Sequence, residues 1–178
     1  MPRILTGNFW LTGKSEWFLV SAVYGPLTPV DHGLFLTHMQ KLGNMHREQM
    51  WIMAGDFNMT TSKEEKKWGV QREDEMERFW DVQMELRLVD IPTINGKFTW
   101  NNRRGGNKQI ASRLDRFLVS KPIIGMDIFY QASILLSIGS DHWPIKLELA
   151  MNNQNKKIPF HFESFWLRDR ELLDKVKN

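Results

Sequence analysis

Cysteine is absent from all 178 residues, which removes disulfides, thiolate zinc sites and cysteine nucleophiles from consideration. Any metal has to sit on oxygen or imidazole ligands, so a hard cation such as Mg2+ is the first expectation, with Mn2+ as a substitute. Long apolar runs are absent too: none approaches the roughly 20 residues that a membrane span needs. The opening Met1-Pro2-Arg3-Ile4-Leu5 turns polar too soon for a secretory signal. An intracellular protein is expected, nuclear or cytoplasmic, with neither a membrane nor a disulfide-linked partner.

Aromatic mass is plentiful. Eight Trp and eleven Phe accompany a composition that is 42% hydrophobic and 25% charged, as in one soluble globular domain. Each such ring taken out of water contributes on the order of 1.5–3 kcal/mol before entropy is set against it. The net charge of +3 hides an asymmetry. Between Lys97 and Lys121 stand seven basic residues and one acid, Asp115, a local balance of +6, so the remainder of the chain sums to −3. A basic segment on a near-neutral body suits a polyanion, because Lys and Arg neutralise phosphates and release counterions. Taken alone, such a run is more often a solvated loop.

Trp17 to Tyr24 is a short apolar, β-branched and aromatic run closed by Gly25-Pro26, which predicts a buried strand and a turn. Phe9-Trp10-Leu11 and the turn Thr12 to Ser15 predict its hairpin partner. Apolar residues at Val30, Leu34, Phe35, Met39 and Leu42 predict a helix over about Val30 to Gln49. Met50 to Gly55 predicts a second buried strand. Ser62 and Glu65 have capping-box spacing, so a second helix is expected from there to near Leu88. Phe98 to Trp100, Arg113 to Val119, Tyr130 to Leu136 and Pro144 to Leu149 are further strand candidates. Strands interleaved with helices early and dominating late favour a mixed α/β sandwich over a helical bundle. The polar stretch Met151 to Lys157 predicts a domain exit, giving a domain over 1–150 and a linker with an aromatic tail over 151–178.

Three fragments carry chemistry. In Gly55-Asp56-Phe57-Asn58 a carboxylate and a carboxamide lie two positions apart, so in extended backbone both face one side. The carboxylate can orient or deprotonate a water and the amide can donate to a phosphoryl oxygen. For the tetrapeptide alone, an Asx-type turn serving local backbone groups is the better reading. Ser140-Asp141-His142 and Arg113-Leu114-Asp115-Arg116 supply a His and carboxylates that could hold it in one tautomer. Separately, an Asp-His is more often a surface turn and an Asp between two Arg more often an ion-paired strand residue.

Their order is more specific. Tyr24-Gly25-Pro26, Gly55-Asp56-Phe57-Asn58, Phe98-Thr99-Trp100, Ser112 to Leu118 and Ser140-Asp141-His142-Trp143-Pro144 follow one another as a series. That series resembles the motifs of the endonuclease/exonuclease/phosphatase superfamily, in versions similar to the endonuclease domains of plant LINE-type retrotransposons. The segment Pro159 to Trp166 is similar to the lead into their reverse transcriptase. The resemblance implies a four-layer α/β sandwich of the DNase I-like type and a Mg2+-dependent endonuclease acting on DNA. It implies that Asp56 handles the attacking water, Asn58 binds the scissile phosphate, and His142, oriented by Asp115, stabilises phosphoryl charge. Tyr24 would sit beside the phosphate, Asp141 with Asp56 would hold the metal, and Trp100, Arg103, Arg104, Lys108 and Arg113 would meet the nucleic acid.

One departure stands out. The family's early strands bring an Asn and a metal-binding Glu, and the only acid before Tyr24 is Glu16. The expectation is a domain incomplete at its N-terminus, with a reverse transcriptase in the full-length relative. A catalytically inactive remnant that at most binds nucleic acid is the alternative reading.

Overall fold

A computed structural model gives the fold and describes residues 3–10, 16–126 and 128–151. The expected hairpin turn, Leu11 and the aromatic tail over 151–178 fall largely or wholly outside that range. The elements are β1 (Arg3–Trp10), β2 (Trp17–Tyr24), α1 (Pro29–Met45), β3 (Trp51–Asp56), β4 (Lys66–Lys67), α2 (Glu73–Glu85), β5 (Leu88–Ile91), β6 (Trp100–Asn101), β7 (Ala111–Ser112), β8 (Asp115–Ser120), α3 (Lys121–Ile124), β9 (Ile128–Ile134) and β10 (Ile145–Met151).

The main sheet has the order β1-β2-β3-β8-β5, with β2 and β3 parallel and the other neighbours antiparallel. Alternation along its central strands explains why it is buried on both faces. Trp51, Met53, Leu118 and Leu88 point to one side, where they pack with Phe35, Met39, Phe79 and Val82 of the two long helices. Ile52, Phe117 and Val119 point to the other, against Ile123, Ile128 and Ala132, with Leu147 and Leu149 of β10 closing over them. The hairpin β9–β10 thus forms a layer opposite α1 and α2. A small third sheet, β4-β7-β6, sits at the margin.

The structure shifts several expected boundaries. The hairpin partner of β2 runs back to Arg3, in register along its whole length. Helix α1 stops at Met45, and its buried stripe is His32, Phe35, Leu36, Met39 and Gly43, while Val30 and Leu34 face solvent. The second helix does not start at the Ser62–Glu65 capping box. Only a single 3₁₀ turn, Lys63–Glu65, forms there without a side-chain cap, because the Glu65 carboxylate is drawn inward by two arginines. Arg113 lies just before its expected strand, which begins at Asp115.

Strand β1 is an edge, and it carries exposed apolar side chains. Leu5 is 73% and Phe9 57% exposed, on the same face as their cross-strand partners Ala22 and Phe18. Open edges bearing apolar groups promote association with other chains. Substituting Leu5→Lys and Phe9→Lys together is expected to reduce self-association in sedimentation velocity without lowering the melting temperature, because neither side chain belongs to a core cluster.

Candidate active site

The main sheet brings two carboxylates face to face. Asp56 ends β3 and Asp115 begins β8, and the antiparallel register sets them directly opposite each other. Like charges in that position repel. His142, on the segment entering β10, supplies the compensation. Its Nδ1 lies 2.9 Å from Asp115 Oδ2 and its Nε2 lies 3.9 Å from Asp56 Oδ2. The second distance is too long for a hydrogen bond, so Nε2 and the Asp56 oxygen both remain open to a third group.

Asp56 is 9% exposed. Burial pushes its carboxyl pKa up, the Asn58 backbone N–H bound to Oδ1 pulls it down, and the Asp115 charge raises it again, leaving it above the ordinary value. The local chain explains how the group is presented. Gly55 has φ of +139°, and a Cβ there would lie 2.1 Å from the Val23 carbonyl oxygen, so only glycine lets β3 press this closely on β2 before the turn. Asn58 is left-handed at φ +52°, a conformation Asn tolerates. Its backbone N–H donates to Asp56 Oδ1 at 2.8 Å and its side-chain amide donates to the Gly25 carbonyl at 3.0 Å. The Asx turn and the presentation of Asp56 therefore coexist. One amide N–H of Asn58 is spent on the backbone, leaving its second for any other acceptor.

Tyr24 ends β2 in register with Asp56 and is half exposed, which puts it on the same strand-end ledge. Asp141 is tied elsewhere. Its Oδ2 accepts the Trp100 indole N–H at 2.9 Å, and that bond holds its carboxyl below the usual range. Trp100 is thus half buried against the loop that carries His142, and the pair Trp100 and His142 also forms an isolated antiparallel bridge. Arg103, Arg104 and Lys108 are exposed. Arg103 donates from its guanidinium to the Ser140 carbonyl beside them.

Arg113 is a correction. It was expected to meet nucleic acid, yet it is buried and donates to Glu65 and twice to Asp90, with distances of 2.6–2.8 Å. Arg116, 1% exposed, shares both acids. Burial alone raises the Glu65 pKa, but the charges and hydrogen bonds of Arg116, then Arg113, hold it well below the usual carboxylate range. A phosphate has no access to a guanidinium engaged in this way.

Thr99, Glu65 and Asp90 are residues the motif reading left without a role. Thr99 is fully buried. Its hydroxyl accepts the backbone N–H groups of Leu114 and Asp115 at 3.0 and 2.9 Å, and its carbonyl accepts Trp143 N–H at 2.8 Å. It therefore ties the backbone of Asp115 to that of Trp143, the residue after His142. The only available signal was its place in Phe98-Thr99-Trp100.

Mg2+ is a poor match to the described residues taken alone. Among them no group of three or more His, Asp and Glu side chains stands together to hold a metal ion. The carboxylates at the site are each engaged by Asn58, His142 or Trp100, short of the near-octahedral oxygen set this ion demands. Among the described residues no helix is long and apolar enough to cross a membrane.

No protein-family profile matches the sequence, and a search of curated proteins finds no match. Solved structures do match. The endonuclease domain of TRAS1, a telomere-specific non-LTR retrotransposon, superposes with a TM-score of 0.58 at 18% identity, covering 86% of this chain and 64% of that one. The 3′ phosphatase NExo from Neisseria, bound to a product DNA hairpin, gives 0.59 at 18% identity over 83% of this chain and 71% of the other. D. rerio TDP2 humanized by 14 mutations gives 0.56 at 14% identity, over 85% and 62%. The fold is DNase I-like. This DNase I-like chain spans less than two thirds of the TRAS1 domain, and identities this low establish the architecture alone.

Two outcomes test the geometry. The folded protein holds the Asp56 proton more tightly than the unfolded chain does, so this group costs stability as pH rises from the unfolded carboxylate range through its raised folded value. Asp56→Asn should raise the urea midpoint at pH 7, with the gain shrinking toward acid pH. Thr99→Val leaves two partly buried N–H groups without an acceptor and should lose about 1–3 kcal/mol in all in denaturant titration. It should also remove the downfield His142 ring N–H proton signal, while Thr99→Ser keeps both.

Proposed function

We propose that this chain is a phosphodiester hydrolase domain acting on DNA, with Asp56 and the His142–Asp115 pair as its reacting groups. The observation that carries the reading is the position of His142, bonded through Nδ1 to Asp115 while Nε2 faces the buried Asp56 across 3.9 Å. One oxygen can lie within about 2.8 Å of both open atoms. In the proposed reaction a water attacks phosphorus and gives its proton to Asp56, whose raised pKa suits it to receive one. The bond from phosphorus to the leaving oxygen breaks, its electron pair stays on that oxygen, and the oxygen takes a proton from solvent water. His142, protonated, donates from Nε2 to a phosphoryl oxygen as charge builds there, and Asp115 keeps the ring oriented and balances its charge. Asn58, with one amide N–H left over, and Tyr24, in register with Asp56, would serve to position the phosphate.

DNA as substrate draws support from the exposed basic loop of Arg103, Arg104 and Lys108 beside the His142 segment, and from neighbours described as a retrotransposon endonuclease and a DNA-bound 3′ phosphatase. The LINE-type origin in a plant rests on the motif variants Tyr24-Gly25-Pro26, Phe98-Thr99-Trp100 and Arg113 to Arg116. A reverse transcriptase in the full-length relative belongs to the same proposal. Mg2+ or Mn2+ enters it only as a reaction condition.

The test incubates purified protein with supercoiled plasmid across a titration of Mg2+ and Mn2+ and follows nicking on gels. Asp56→Asn and His142→Gln are each expected to lower the rate by about 10²–10⁴ while retaining the circular dichroism spectrum. Nicking that persists undiminished in both variants, or its absence from the parent protein in every condition, overturns the assignment.

A further inference from the structure

The small sheet β4-β7-β6 gathers a second set of groups next to the segment that carries His142. Strands β4 and β6 both run antiparallel to β7, so the chain leaves β4, leaves β6 and enters β7 at the same end. Three short segments meet there: 67–69, 102–104 and 108–110. They bring Lys67, Trp68, Arg103, Arg104 and Lys108 to one margin of the molecule, all of them exposed. The first and last segments touch, because a Cβ on Gly69 would lie 3.3 Å from Ile110 Cδ1.

Two residues at this margin are held in an unfavourable backbone conformation. Trp68 has φ of +63° and Arg103 of +53°. For a bulky side chain the left-handed region is costly, and it persists in native proteins mainly where function holds it. Folding gives no return for Trp68, whose ring is 58% exposed and lies outside both core clusters. An exposed indole flanked by cations is the combination that binds a nucleic-acid strand, since every base has a face that stacks and every phosphate a charge to neutralise.

We propose that this end of the small sheet is a binding subsite for single-stranded DNA, with Trp68 as the stacking platform for one unpaired base and Arg103, Arg104 and Lys108 on the adjoining phosphates. The proposal rests on the DNA reading of the neighbouring site and adds to it a contact with an unpaired base. Duplex is disfavoured because its base faces are already stacked, so the indole has nothing to cover. The same sheet ties the subsite to the reacting groups, since Trp100 of β6 bridges His142 and bonds Asp141.

Binding of a fluorescein-labelled thymidine oligonucleotide and of a duplex of equal length, measured by anisotropy across a salt series without divalent metal, separates this claim from hydrolysis. Trp68→Ala should weaken single-strand binding by roughly 5- to 150-fold, the factor that one stacked base supplies, and leave duplex binding and the salt slope unchanged. Trp68→Phe should keep most of the affinity. Trp68→Gly should lose it while the melting temperature stays or rises, because glycine relieves the left-handed strain. Arg103→Glu with Arg104→Glu should flatten the single-strand log–log salt slope by roughly 0.7 per lost contact. Unaltered single-strand affinity in Trp68→Ala, an equal loss for duplex, or no single-strand binding by the parent protein overturns the subsite. A plasmid-nicking failure with the Trp68 effect intact would reject hydrolysis and leave the subsite standing.

Discussion

Arg116 is fully buried, and the region around the site depends on meeting its charge. A guanidinium without water needs counter-charge and hydrogen-bond acceptors, and losing either partner of such a pair commonly costs about 3–5 kcal/mol. Here Glu65 and Asp90 supply the charge, the Met59 and Arg113 carbonyls supply acceptors, and the Phe79 ring lies 5.5 Å beneath the guanidinium carbon. With Arg113 the cluster is two cations and two anions, neutral as a whole. Burial lowers the Arg116 pKa, and Glu65 and Asp90 more than restore it, so the guanidinium stays charged. The 3₁₀ turn at Lys63–Glu65, strand β5 and the start of β8 are thereby locked together.

That lock determines where Asp115 points. Adjacent residues of a strand face opposite sides, so anchoring Arg116 on the helix side sends Asp115 to the side of β9 and β10, where His142 enters. Thr99 then fixes the same backbone from across the small sheet. The arrangement of Asp56, Asp115 and His142 is therefore held by residues outside it, which is how strand ends and loops keep an angstrom-scale geometry. Tyr24, Asp56 and Asp115 all occupy the same end of three neighbouring central strands.

The arrangement carries a cost in stability. Two carboxylates opposed across a ladder and a buried acid with a raised pKa are unfavourable for folding, and an imidazole between them only partly offsets this. A sheet built for stability alone would place a neutral or opposite charge at position 56. The left-handed Trp68 and Arg103 repeat the theme at the margin, where strain is stored in exposed residues that the core does not need.

The sequence by itself determined the elements whose signal is local. The run Trp17 to Tyr24 is β2 as printed in its residues, and Trp51 to Asp56 ends within a residue of its expected bound, because unbroken apolar β-branched runs closed by Gly read as buried strands. The ordered motif series also named Asp56, Asp115 and His142, which the fold brings together. Only tertiary structure decided the rest. Glu65 has capping-box spacing, yet two buried arginines outcompete a helix cap for its carboxylate, so the second helix starts at Glu73. Arg113 counted as one more cation in a basic segment, and its burial between Glu65 and Asp90 depends on a 3₁₀ turn and a strand 48 and 23 residues away in sequence. Thr99 had no composition signal at all. Its role follows from accepting two backbone N–H groups across a sheet, and a register between distant strands is set by the packing of the whole fold, which no local pattern encodes.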